Sequence, residues 1–236
     1  GDGAFGGDTG IPYQLDGICG PYIVTATDQT NSATTTFTDA NYTIQAQEKD
    51  GTWKDKGVVF GYAEGDDVLF RLNATYKKES GLKSITVEGE YLDTATPPNK
   101  GIDYFKDFSF ADEGVLDMTA PPTVTEGGTS HNLPWVGGPG TGDPVLKSNG
   151  VEVLQYMLTF KVAYSTDQKT VTFYWKAHLA VSPHGATFWT GPPSDHMAVQ
   201  ATPPSGGAKT VGIKTPEAGT LVVQKISLGG TDDDYP

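Results

Sequence analysis

Glu88 and Glu90, two residues apart, are the pair of acids whose spacing best suits chemistry. On an extended strand, residues i and i+2 point to the same side with side chains about 7 Å apart. That separation is compatible with a glycosidase, in which one carboxyl protonates the leaving oxygen and the other acts as base or nucleophile. No aromatic residue interleaves with them, and Thr86 is their neighbour on the polar side, so the pair reads as a solvated face. Four histidines (His131, His178, His184 and His196) fall in the second half of the chain. The step from His178 to His184 matches no common ligand pair, and no Asp or Glu is expected in register with these histidines. Asp232, Asp233 and Asp234 lack the alternating spacing and glycine of a calcium loop, and read as a solvated tail. There is no Gly-x-Ser-x-Gly elbow, phosphate loop or Cys–His pairing. The expectation is a protein without catalytic residues, metal or cofactor.

Two tripeptides fit the acceptor pattern for N-glycosylation, Asn41–Tyr42–Thr43 and Asn73–Ala74–Thr75. Strand alternation places Asn73 on an outward face. A native mass above the sequence mass, mapping to Asn41 or Asn73, is the check on this expectation.

The elements that must position these residues are strands. Val68, Phe70, Leu72, Ala74 and Tyr76 alternate with Arg71, Asn73 and Thr75, and Ile85, Val87 and Tyr91 alternate with Thr86, Glu88 and Glu90. Leu154, Tyr156, Leu158, Phe160, Val162 and Tyr164 form one apolar face, and Val171, Phe173, Trp175, Ala177, Leu179 and Val181 form another. The polar run Ser165–Lys169 between them predicts an antiparallel hairpin. Strands apolar on one side must cover a second sheet, which makes an antiparallel β-sandwich the expected fold. The stretch 94–150, with Thr96–Pro97–Pro98, Pro121–Pro122 and the glycine-rich run 137–142, reads as long loops or as a split between two domains. The organisation expected is a glycine-rich segment over 1–20, a sandwich over 21–202, a Pro/Gly linker over 203–219, and a separate C-terminal strand with acidic tail over 220–236.

Composition narrows the partners. With 236 residues, 36% hydrophobic and 19% charged, the chain is apolar enough to bury a core. A net charge of −13 argues against nucleic acid and anionic membranes. No apolar run approaches the roughly 20 residues of a membrane helix. The single cysteine, Cys19, excludes an internal disulfide. A start at Gly1–Asp2–Gly3 reads as a secreted product whose signal peptide has been removed.

The stretch Tyr174–Trp175–Lys176–Ala177–His178–Leu179–Ala180, followed by Gly185–Ala186–Thr187–Phe188 and His196–Met197–Ala198–Val199, resembles a pattern in prokaryotic secreted surface proteins. The tail Gly219–Thr220–Leu221–Val222–Val223–Gln224–Lys225–Ile226 resembles the opening strand of prealbumin-like modules of Gram-positive adhesins and pilins. These segments fall within 174–226, about a quarter of the chain, and neither is catalytic. The resemblance implies a prealbumin-like or Ig-like sandwich (a jelly roll being the other option), displayed at the cell surface or built into fibres. In such modules the first-strand lysine, here Lys225, can form an isopeptide bond; the rest of that module does not follow, nor does a sortase signal.

The resulting expectation is a structural subunit of an extracellular filament, joined to identical subunits by donor-strand exchange. The donated strand would be Thr220–Leu228. Val222, Ile226 and Leu228 lie on its larger aliphatic face, and Leu221 and Val223 on the other. A monomeric module that binds surface glycans or other cells is the alternative, with Tyr174 or Trp189 stacking on sugar. A sandwich glycosidase using Glu88 and Glu90 is the third.

Overall fold

The computed structural model describes residues 21–27, 32–38, 41–76, 81–93, 99–181, 187–188, 196–203 and 207–214. Pro21–Thr27 (β1) and Ser32–Thr38 (β2) pair with each other, Pro21 opposite Thr38 and Thr27 opposite Ser32. Asn41–Gln47 (β3), Trp53–Lys54 (β4), Val58–Val59 (β5), Asp67–Tyr76 (β6) and Leu82–Asp93 (β7) follow. The middle of the chain supplies Asn99–Lys100 (β8), Ile102–Phe110 (β9), Thr123–Glu126 (β10), Thr129–Asn132 (β11), Trp135–Gly137 (β12) and Asp143–Leu146 (β13). Val151–Lys161 (β14), Lys169–Leu179 (β15), Thr187–Phe188 (β16), His196–Thr202 (β17) and Lys209–Lys214 (β18) complete the set.

Two sheets carry the fold. The first runs β12-β9-β15-β6-β3-β4, and the second runs β11-β10-β14-β7-β17-β18-β5 with β13 beside β14 and β8 beside β7. Pairing is antiparallel except for β16 on β8 and β18 on β5. Phe70, Leu72, Phe173 and Trp175 from the first sheet and Ile85, Val87, Tyr156, Leu158 and Phe160 from the second fill one continuous core. Each of these side chains contributes about 1.5–3 kcal/mol by leaving water. The all-β sandwich is therefore as expected from the alternation. The predicted inward positions on β6, β14 and β15 are buried, whereas Tyr164 and Val181, just beyond their strands, are exposed.

The expected hairpin is not formed. β14 pairs with β7, β10 and β13 in one sheet, while β15 pairs with β6 and β9 in the other. The connection at 162–168 crosses the sandwich, so the two apolar faces meet across the core; Phe160 and Phe173 lie with ring centroids 4.8 Å apart. Tyr156, Leu158 and Phe160 of β14 and Phe173 and Trp175 of β15 are buried in the one core between the sheets.

The 94–150 stretch contributes β8 to β13, and these strands join both sheets. Strand β9 shows a burial period of three, with Ile102, Phe105 and Phe108 inward. Two register shifts against β15 produce it, and Asp107, at one of them, has φ of 55°. A bulge adds a residue to one strand, so two successive side chains face outward for each one inward. Residues 209–214, within the predicted linker, form β18 along β17. The segments 1–20 and 220–236, with Cys19, Lys225 and the five donor-strand residues Leu221, Val222, Val223, Ile226 and Leu228, lie outside the described residues, as do His184 and Trp189.

Candidate functional site

Glu88 and Glu90 are not on a solvated face. They lie on the outer side of the second sheet, where three strands bring two rows of residues together. In the first row Glu88 of β7 stands opposite Gln155 of β14 and Gln200 of β17. In the second, Glu90 stands opposite Val153 on β14, with Ala198 of β17 beside it. The turn after β13 folds over both rows and adds Lys147 and Asn149. Its geometry is fixed by Lys147 N–H donating to the Val151 carbonyl at 2.8 Å and Val151 N–H donating to Asn149 Oδ1 at 3.2 Å. The result is a recess of about 230 Å³ lined by Glu88, Glu90, Lys147, Asn149, Val151, Val153, Ala198 and Gln200.

Glu88 is 5% exposed and fully engaged. Lys147 Nζ and Gln155 Nε2 each donate to Oε1 at 2.6 Å, and Gln200 Nε2 donates to Oε2. Burial opposes ionisation of this carboxyl, but the three donors and the ammonium charge outweigh it, so its pKa falls below the ordinary glutamate value. Glu90 receives one bond, from Ala198 N–H to Oε2 at 2.6 Å. Pairing between β17 and β7 runs from Thr202 to Val199, so this carboxylate takes up the next amide of β17. Burial dominates here and pushes the Glu90 pKa up.

Glycine is required at the position between them. A Cβ on Gly89 would stand 2.6 Å from the Phe105 ring, so the bare backbone lets that ring lie against β7 beneath the recess.

A pair of carboxyls with pKa values pushed apart is a pattern of acid–base catalysis. Here the ionised member accepts three hydrogen bonds, leaving about one lone-pair direction free. Those donors lower its nucleophilicity and hold it in place.

The other candidates fall elsewhere. Contrary to the sequence expectation, His178 has an acid in register: Asp67 stands opposite it on β6, with Oδ1 2.9 Å from His178 Nδ1. Asp67 also pairs with Lys106 at 2.8 Å, and the His178 ring stacks on Tyr104 at 4.6 Å. Burial of Asp67 works against ionisation, but Lys106 and His178 prevail and lower its pKa. The sequence missed this pair because Asp67 is 111 residues away and only the β6–β15 register joins them. His131 stacks on Trp135 at 4.2 Å, with Nε2 3.4 Å from Glu126, and makes no hydrogen bond there. His196 is opposite Lys214 in the β17–β18 ladder. Among the described residues, no three of His, Cys, Asp and Glu gather in a metal-binding arrangement.

The two glycosylation tripeptides face each other across β3 and β6, Asn41 opposite Thr75 and Thr43 opposite Asn73. Asn73 is outward but engaged: Nδ2 donates to Gln45 at 3.1 Å, and Oδ1 accepts from Thr172 at 2.9 Å. Tyr174 is half-buried on the same outer face, with its ring 6.3 Å from Trp53.

Neither protein-family models nor curated proteins give a match to this chain. Among solved structures it is similar to the crystal structure of BcpA, the major pilin subunit of Bacillus cereus, with a TM-score of 0.33 and 11% identity. That likeness covers 85% of this chain and 49% of BcpA, so the chain spans about half the length of its structural neighbour. A likeness this loose says nothing of function.

Proposed function

We propose that the chain is a structural subunit of an extracellular surface filament, with subunits joined by strand addition. The observation that supports this reading is an open seam along one side of the sandwich. Strand β3 pairs with β6 on one side, and on the other its ladder with β4 covers only Ala46 and Gln47. Strand β18 pairs with β17, and on its far side β5 covers only Gly212 and Ile213. Among the described residues, the ladder edges at 41–45 and 209–211 therefore carry no strand partner. The Tyr42 hydroxyl donates to the Gly207 carbonyl, which brings these two edges together.

Unpaired edges are templates for another strand, and proteins that do not use them cover or charge them. Here the seam borders Tyr42, Ile44 and Val211, which the fold already buries, so an incoming strand gains main-chain partners along the edges and reaches this apolar floor only by parting the Tyr42–Gly207 contact. The segment Thr220–Leu228 has the composition to fill it, with Val222, Ile226 and Leu228 on one face. Each ladder bond contributes about 0.5–1.5 kcal/mol, and together with the buried aliphatics they offset an association cost of about 4–15 kcal/mol.

The test is electron microscopy and sedimentation of the native chain beside Ile226→Asp. Native material should form filaments. The variant, which would bury a carboxylate at a cost of several kcal/mol, should remain dispersed. Filaments of normal length from the variant would remove Ile226 from the contact, and a strictly monomeric native chain would overturn the filament reading.

A further inference from the structure

The recess on the outer face of the second sheet combines an aliphatic floor with a polar rim. Its floor is aliphatic, formed by Val151, Val153 and Ala198. Around the floor stand two carboxyls, Glu88 and Glu90, and three donors, Lys147, Asn149 and Gln200. At about 230 Å³ it is smaller than the ~300–1,000 Å³ usual for drug-sized ligands, which limits it to one small ligand. That space suits one sugar ring.

We propose that this recess binds a single neutral saccharide residue, its C–H face on Val151, Val153 and Ala198 and its hydroxyls on Glu90, Asn149, Lys147 and Gln200. Charge disfavours the ionic small ligands. A cation would meet the Lys147 ammonium, which already neutralises Glu88 at 2.6 Å. An anion would meet two carboxyl groups in a space with a single ammonium. A hydroxyl both donates and accepts, so a polyhydroxylated neutral ring satisfies acceptors and donors alike. Convergent polar groups over an apolar floor are the usual make-up of a small-molecule site. Glu88 is the fixed part of the rim, since Gln155, Gln200 and Lys147 hold it from three elements before any ligand arrives. Preorganisation of this kind reduces the ordering cost of binding.

The site is independent of filament assembly and can be tested on dispersed or assembled chain. Saturation-transfer NMR with a panel of neutral hexoses and N-acetylhexosamines, with free lysine and acetate as charged probes, should show saturable binding of at least one neutral sugar and of neither charged probe. Ala198→Leu fills the floor and should weaken that binding by about tenfold or more, as expected for loss of at least 1.4 kcal/mol. Gln200→Ala, which removes a rim donor, should do the same. Asn149→Asp replaces Ala198→Leu as the reporter if the latter lowers the melting temperature, because the exposed Asn149 then keeps an acceptor for Val151 N–H and loses only its donor. Binding of lysine or acetate in preference to sugar, no sugar binding up to about 10 mM, or sugar binding unchanged in the variants would overturn the proposal.

Discussion

Glu88 and Glu90 occupy neighbouring outward positions on β7, yet their surroundings shift their protonation in opposite directions. Glu88 is favoured in its ionised form by Lys147, Gln155 and Gln200, so its contribution to stability is present above the unfolded glutamate range, about pH 4.3. That contribution is lost as pH falls through the lower folded value. Burial favours the protonated form of Glu90, so its contribution is complete below about pH 4.3 and is lost as pH rises through its raised value. Two substitutions separate these effects. Glu88→Gln should lower stability near neutral pH by about 1–3 kcal/mol, because it removes the charge opposite Lys147 and turns one acceptor oxygen into an amide donor that leaves a buried N–H unpaired, and the loss should shrink in acid. Glu90→Gln keeps an acceptor for Ala198 N–H and should raise the melting temperature near pH 8 while changing little near pH 4. Thermal melts at these pH values, read for both variants, check the signs. The spacing of the two acids was legible in the sequence, but their burial was not. It depends on Gln155, Gln200 and Lys147, which lie 59 to 112 residues away and arrive only through sheet register.

At the scale of the elements, strands with a strict period of two were readable from the sequence. The buried face of β6, from Val68 to Tyr76, and that of β15, from Val171 to Leu179, follow it residue by residue. Strand β9 was not readable, because bulges near Asp107 and Tyr104 convert its alternation to a period of three, and a sequence with Ile102, Phe105 and Phe108 inward looks irregular. The partners of β14 and β15 were also missed. A polar loop of a few residues fits either a tight hairpin or a crossing between sheets, and periodicity alone does not choose. The choice was made by packing, with Phe160 against Phe173 and both Phe70 and Phe105 beside Trp175. Because Phe173 is 1% exposed and bridges the sheets, Phe173→Ala should cost about 3–5 kcal/mol. Chemical denaturation with an unchanged slope and a lower midpoint is the expected result. A loss under about 1 kcal/mol would mean that the two strands do not face each other across the core.

At the scale of the whole molecule, the two sheets meet at a seam where β3 and β18 come together through the Tyr42–Gly207 contact. Those stretches of ladder are free of strand partners among the described residues, and a neighbour's strand would have to bind there. Hydrogen exchange followed by mass spectrometry, comparing dispersed chain with assembled filaments, measures that contact directly. The account predicts that amides in 41–45 and 209–211 gain strong protection on assembly, together with those of the donated segment 220–228, while the central strands β6 and β7 keep the protection they already have. Assembled filaments in which 41–45 and 209–211 exchange as fast as in the dispersed chain would contradict it.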